Sequence, residues 1–488
     1  MKKTIQSRTK RIWIGLFTLM AVVILIPLSA PYHVRIIDAL SLQKVPGYGV
    51  HIPFYRILFE PFLGLLLYFN RSLYALTEVP LAMGWLFAAY LVWMVWRGLA
   101  MKDRLYRKRW FGGRIADIPI AGGLLLTLFV VMIFIRLPGN TIVNNTSDDV
   151  LVTTHCHTEW SHDGLISQKA LWRWQKHNGF DAFFITDHNN HDKTLAFIRS
   201  QRAGDFPAVP LVMCGEEFSD SNHLSLLGLK KNFSTKDFPD SVAVNTTHAQ
   251  GGAVIVNHWF DGENMTLEYY KNLGVDGFEI ENTATDRYYP RDIYWKIRNF
   301  CEKNHLIMNG GLDFHGYGNV CSLWNAFAIP GWHRMDPDAK EKAILAILRA
   351  KDQSRLRVLM YHDRPYYDKK NLALRPPVTL FNYFRTLNGW QILSWLFWLA
   401  VFGIIAKRFA KKNEKEKIIV TGKSAAVKGV VASLFLLVLA LRFYLLIGKT
   451  AGFNTIYPEY ASLFLTLGLP LLVYSTGVAY IRLFKYKK

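Results

Sequence analysis

Hydrophobic residues along this chain follow one pattern at the ends and another in the middle. The ends carry long apolar runs: Ile12–Ala30, Pro80–Trp96, Ile118–Ile135, Ile392–Ile405 with its flanking aromatics, and Gly429–Ile447. Each is long enough, or nearly so, to cross about 30 Å of hydrocarbon as a helix. A sixth run, Tyr460–Ile481, is interrupted by Gly468 and Pro470, which a helix packed in a bundle tolerates. The segment Phe54–Phe69 is apolar too but carries Arg56, Glu60 and Pro61, and whether it crosses decides the topology. A charged start precedes the first run, yet that run exceeds a usual signal core and further runs follow. It therefore reads as a retained helix.

From Val150 the pattern shortens. Runs of β type at Val150–Thr154, Phe180–Thr186, Val209–Cys214, His223–Gly228, Ala253–Asn257, Val275–Ile280 and Leu306–Gly310 alternate with amphipathic stretches such as Leu165–His177 and Arg287–Asn304. Such alternation predicts an α/β domain, a barrel-like sheet with helices outside. The expected division is an N-terminal transmembrane block over 1–148, an α/β domain over 149–370, and a C-terminal transmembrane block over 371–488.

Composition and charge sharpen this picture. The chain of 488 residues is 51% hydrophobic and 14% aromatic, with a formal charge of +21. Residues 1–11, 97–114, 407–428 and 482–488 hold 24 Lys and Arg against three acids, a surplus equal to the entire net charge. Basic charge confined to short loops between apolar runs is a topology signal, so nucleic acid is not an expected partner. With six crossings, all four basic segments lie on one side, the cytoplasm, and the middle domain lies outside. If Phe54–Phe69 also crosses, the parity flips.

Candidate ligands cluster where the short strands end. His155 and His157 follow the first strand, with Ser161, His162, Asp163 and Gly164 just beyond; Thr186-Asp187-His188-Asn189 follows the second. Gly215-Glu216-Glu217-Phe218 ends the third, His223 opens the next, Asn257-His258 ends a later one, and Asp313-Phe314-His315 follows the last. Carboxyl ends of parallel strands converge on one mouth, and a spacing of two puts both members of H-x-H or D-x-H on one side. So many imidazoles and carboxylates together need a cation to offset repulsion and desolvation. Mixed nitrogen and oxygen ligands without thiolate suit Zn, Mn or Fe, and a metal pair can activate water and steady a leaving oxygen. The four cysteines (Cys156, Cys214, Cys301, Cys321) show no C-x-x-C spacing, which excludes a zinc ribbon and reads as small buried residues.

Taken together, H-x-H, S-x-D-G, T-D-H-N, the G-x-E strand end, the His after it, the His before a turn and the late D-x-H resemble the polymerase-and-histidinol-phosphatase (PHP) family over about 150–363. The resemblance implies a distorted β/α barrel of PHP type with two or three divalent metal ions. It implies that His155, His157, Glu217 and Asp313 hold one metal. Glu217 then bridges to a second, held also by His223 and His258, and Asp163, His188 and His315 hold a third. Glu217, Asp313 and His258 are the residues expected to act in catalysis.

Three departures stand out. His162 is an extra residue between Ser161 and Asp163, so either His162 or Asp163 could be the ligand, with Asp163 favoured. His258 is followed by Trp259 where the family often has Pro. Glu216 and Glu217 point opposite ways on a strand, and Glu217 is chosen because it precedes the apolar Phe218, as in the family pattern. Outside the motifs, His191 reads as a surface loop residue that could touch a substrate anion, His248 as structural, and Asp187 as orienting a neighbour. Trp172, Trp174, Tyr288, Tyr289 and Trp295 read as helix faces packed on the sheet.

The function expected is a hydrolase of the cell membrane with its catalytic domain outside the cytoplasm. Its expected partners are membrane lipids and a small-molecule or lipid-linked phosphoester. The T-D-H-N wording and S-x-D-G spacing also look like the branch containing carbamate- and aryl-ester-cleaving enzymes, which keeps a carboxylic or carbamate ester as an alternative. A transporter or receptor with a non-catalytic metal domain is a further alternative, against which stands a ligand set with no gaps.

Overall fold

A computed structural model describes residues 2–70, 75–134, 139–259, 265–283, 290–318, 321–365, 371–410 and 414–484. Its strands are β1 (Arg35–Asp38), β2 (Tyr48–His51), β3 (Thr141–Asn144), β4 (Asp149–Thr153), β5 (Ala182–Ile185), β6 (Leu211–Ser219), β7 (His223–Leu227), β8 (Ala253–Val256), β9 (Gly277–Asn282), β10 (Ile307–Gly311), β11 (Leu323–Ala328) and β12 (Leu356–His362). Ten form one sheet in the order β1-β12-β11-β4-β5-β6-β7-β8-β9-β10, while β2 pairs with β3.

The domain is mixed α/β, and its sheet is a curled half-barrel. Pairing is parallel from β4 to β6 and from β8 to β10, but β7 runs against both its neighbours. The two antiparallel steps through β11 leave β12 running with β4. The sheet curls until β10 approaches β11, where the Asn325 amide exchanges bonds of 2.7 and 2.8 Å with the backbone of Gly310. One side-chain amide thus replaces a strand ladder at the seam.

Side chains alternate across this curled sheet, as the strand period of two requires. Val150, Val152, Phe184, Met213, Ile255 and Ile307 point inward and meet Ile344 and Leu348 of the helix Pro337–Arg349. They fill the interior away from the strands' carboxyl ends. Phe183, Ile185 and Val212 point outward beneath Leu171, Trp172 and Trp174 of the helix Gln168–His177. That helix begins where the Ser167 side chain caps the Ala170 amide, one of the few partners open to a first-turn N–H.

Among the described residues, six helices are long and apolar enough to cross a membrane: Ile12–Ser29, Glu78–Leu99, Arg104–Phe134, Gly389–Arg408, Ser424–Lys449 and Ile456–Arg482. The segment with open topology breaks at Phe59 into Phe54–Leu58 and Glu60–Phe69. Ten residues of helix extend only about 15 Å, half the thickness of hydrocarbon. Its Arg56 and Glu60 are buried and lie 3.7 Å apart.

The apolar helices meet the α/β domain at the carboxyl ends of its strands. Tyr32 Oη lies 2.8 Å from Nδ1 of His362, the last residue of β12, and Tyr68 Oη donates to the Asp363 carbonyl at 3.2 Å. The sheet also takes its edge strand, β1, from the stretch just after the first apolar helix, with Arg35 opposite His362.

Candidate metal centre

At the mouth the backbone leaves regular structure, and the candidate ligands gather there. β4 ends at Thr153, so His155 and His157 sit beyond the last ladder bonds. The carboxylate of Asp187 fixes that exit by accepting from both the Thr158 amide (2.5 Å) and its hydroxyl (2.7 Å), so Asp187 orients a neighbour. Because β7 runs in reverse, its first residue, His223, reaches the mouth from which β6 and β8 emerge. Asp313 takes a left-handed φ of +48°, a conformation Asp tolerates better than most residues.

All the expected ligands except His258 fall into three overlapping sets with close donor atoms: His155, His157, Glu217 and Asp313; His157, Asp163, His188 and His315; and His188, Glu217 and His223. His258 stands beside them, its Nε2 3.2 Å from Glu217 Oε1 and 3.3 Å from His223 Nδ1. Glu217 is shared between two sets, with Oε2 toward His155 and His157 and Oε1 toward His223 and His258. Asp163 lies 2.9 Å from His315 Nε2 and 3.6 Å from His188 Nε2. His162 is exposed and packs its ring 4.7 Å from that of His188, outside every set.

The first set passes a geometric test for a small cation. His155 Nε2, His157 Nε2, Glu217 Oε2 and Asp313 Oδ1 lie 3.1, 3.2, 3.3, 3.0 and 3.2 Å apart along five of the six edges they define. A tetrahedron with edges of about 3.2 Å has its centre about 2.0 Å from each corner, the length of a zinc–nitrogen or zinc–oxygen bond. Glu217 Oε2 and Asp313 Oδ1 are buried without any aligned hydrogen-bond donor. Such orphaned oxygens are costly unless a cation satisfies them.

Electrostatics points the same way. Burial presses His155 toward its neutral form, yet the charges of Glu217, Asp313 and Glu279 hold it well above the usual imidazole range. Burial likewise opposes charge on His157 and His258, but the adjacent carboxylates of Asp313 and Glu217 raise His157 to about 10, and Glu217 raises His258 to about 9. Burial disfavours the Glu217 carboxylate, which His155 and His188 nonetheless hold well below its usual range. His188 differs: burial dominates and lowers it to about 4.

Two residues around the ligands were given no role from sequence. Glu279 on β9 lies 2.8 Å from His155 Nδ1 and accepts from the His258 amide at 3.0 Å and from Asn282 at 2.9 Å. A carboxylate behind a ligating His fixes its tautomer and ring orientation. Asn257 donates to Glu217 Oε1 at 2.9 Å. The available signal for Glu279 was an acidic residue within an apolar strand, alternating with the outward Phe278 and Ile280. Close packing accompanies this: a Cβ on Gly311 would stand 1.9 Å from Glu279 Oε1, and one on Gly164 would stand 1.8 Å from the Thr158 carbonyl.

His191 is not a surface residue: it is buried against the Glu216 carboxylate, with Nε2 3.0 Å from the Lys231 carbonyl. Sequence reasoning missed this because the 230–235 loop folds over it from forty residues away. His248 pairs with Asp276 at 3.0 Å. Trp172 and Trp174 pack on the sheet, Trp174 stacking 3.9 Å from Phe314, whereas Trp295 is exposed. Tyr288 and Tyr289 lie outside the described residues. All four cysteines are buried and unpaired.

No family model matches the chain, and no curated protein matches it. Solved structures similar to it include a protein from Bifidobacterium adolescentis named as a metal-dependent phosphoesterase, with 17% identity and a TM-score of 0.27 over 34% of this chain and 88% of that one. PsfC from Pseudomonas syringae gives 15% and 0.32 over 49% and 98%. An amidohydrolase from Chromobacterium violaceum gives 13% and 0.28 over 43% and 98%.

Proposed function

We propose that this chain is a membrane-integral, metal-dependent hydrolase of the PHP type that cleaves a phosphomonoester or phosphodiester. The supporting observation is the convergence of His155, His157, Glu217 and Asp313 around one point, with Glu217 shared into a neighbouring set. Divalent ions held there would lower the pKa of a coordinated water and offset charge developing on phosphoryl oxygens. His155, His157, Glu217 and Asp313 would hold one ion; His188, His223 and His258 complete the shell around the other face of Glu217; and Asp163, His188 and His315 serve a third.

The chain's own groups have definable tasks. Glu279 keeps His155 turned with Nε2 inward, Asn257 fixes one oxygen of Glu217, and Asp187 anchors the turn after His157. Because the mouth opens beside apolar helices, we assign it an amphiphilic, lipid-linked or envelope phosphoester. Its head reaches the metal cluster while its apolar part stays with the helices. The basic segments support a location of the domain outside the cytoplasm under the positive-inside rule.

Turnover by the full-length protein in detergent separates this reading from its rival. A chromogenic phosphodiester and phosphomonoester should be hydrolysed faster than an aryl carboxylic ester or carbamate. Preference for the carboxylic or carbamate ester would assign the same centre to that chemistry instead.

A further inference from the structure

Asp163 sits on a loop that reaches solvent: its side chain is 28% exposed while its partners His188 and His315 are at 7% and 8%. A ligand on a surface loop holds a metal well only if the loop is fixed, because ordering it at the moment of binding costs affinity. Part of the fixing is local. The Leu165 amide donates to the His315 carbonyl at 2.7 Å, the Glu159 amide to the Ile166 carbonyl at 2.8 Å, and Ser161 Oγ to Asp163 Oδ1 at 2.6 Å.

The rest comes from nearly 300 residues away. The apolar helices Glu414–Lys449 and Ile456–Phe484 are joined by a short turn, and that turn sits directly on the Asp163 loop. Asn454 is fully buried. Its Nδ2 faces the carbonyls of Gly164 (2.7 Å), Ser161 (2.9 Å) and Glu159 (3.4 Å), bracketing Asp163 from both sides. Its Oδ1 accepts from the Tyr457 amide at 3.1 Å, so the side chain is locked at both ends. The Thr455 amide and hydroxyl both donate to the His162 carbonyl, at 2.9 and 3.2 Å. Lys449 Nζ spans both oxygens of the buried Glu159 carboxylate at 2.7 and 2.8 Å.

We propose that this helix turn is a working part of the metal centre, with Asn454 and Lys449 as positioning residues that hold Asp163 in place for the ion it shares with His157, His188 and His315. The role rests on the metal-centre reading. Among the described residues no hydrogen bond joins the turn to His155, Glu217, His223 or Asp313, so the dependence should fall first on the ion that Asp163 would hold. A tilt of the two apolar helices would be felt first at Asp163 and only later at Glu217.

Full-length protein in detergent, stripped with chelator, reloaded with Mn²⁺ and dialysed, provides the test by elemental analysis. Asn454→Ala should lose one equivalent relative to wild type and keep the remainder. Lys449→Glu and Glu159→Lys should each weaken that same equivalent about ten-fold or more, the range typical of outer-shell changes. The double exchange Lys449→Glu with Glu159→Lys should recover it, which general destabilisation would not allow. If Asn454→Ala misfolds, the charge-exchange set carries the test alone. Wild-type stoichiometry and affinity in all these variants would overturn the proposal while leaving the metal reading intact. A wild-type protein that binds no Mn²⁺ or Zn²⁺ would instead refute the metal reading itself, and this role with it.

Discussion

Glu216 and Glu217, adjacent on β6, serve opposite sides of the sheet. Glu217 turns inward, with Oε2 3.0 Å from His157 Nε2 and 3.2 Å from His155 Nε2. Glu216 turns outward to the His191 ring and the Thr235 hydroxyl. The period of two on a strand enforces this division of roles.

It gives the first prediction. Glu217→Gln should lower turnover by about 10²-fold or more, comparable to removing one charge-stabilising group. Glu216→Gln should leave turnover within a few fold but cost about 1–3 kcal/mol of stability by disturbing a buried pair. Steady-state kinetics and thermal melting of both variants read this out, and equal kinetic losses would place the wrong glutamate in the centre.

Protons should leave when metal enters. With His157 at about 10 and His258 at about 9, both rings carry a proton at pH 7, and a ligating imidazole nitrogen must give it up. Titrating metal into stripped protein should therefore release protons, and apparent affinity should rise with pH through this range. Calorimetry in buffers of different ionisation enthalpy measures the release directly; an enthalpy independent of buffer would contradict it.

Glu279 should matter without touching a substrate. Glu279→Gln removes the charge behind His155 Nδ1, and Gly311→Ala should displace the same carboxylate sterically. Each is expected to weaken metal binding about 10- to 100-fold, as outer-shell changes do. Competition with a chelator of known affinity would report the change, and unaltered affinity in both would remove Glu279 from the centre.

Sidedness decides which substrates the centre can meet. A cysteine in place of the exposed Lys236 should react with an impermeant reagent in intact cells, whereas one placed at 411–420 should not. Background should be low because all four native cysteines are buried. The reversed pattern would put the centre in the cytosol and remove envelope substrates from consideration.

Much of the site was legible because ligands mark strand ends. Strands β4 to β10 were each anticipated within a few residues, and several of their apolar runs led into a His, Asp or Glu cluster. Strands β1 to β3 lie in short connectors for which no strand was expected, and β11 and β12 carry none of the expected ligands. The antiparallel course of β7 was not visible either, although its consequence, His223 at the mouth, was. Glu279 escaped notice because a single acid in a strand does not reveal which buried partner it meets. Asn454 could not be found at all, because nothing local ties a turn between two apolar helices to a loop near residue 160. The six long helices match the apolar runs, and the interruption at Phe59 explains why Phe54–Phe69 was ambiguous.

The most direct test of the metal-dependent mechanism is hydrolysis by full-length protein before and after stripping and reloading. The full chain is needed because β1 and the turn at 450–455 both contribute to the domain. The expected result is at least two equivalents of Zn, Mn or Fe per chain, phosphoester turnover that disappears with chelation, and recovery on reloading. Equal turnover in stripped and reloaded protein would contradict the account.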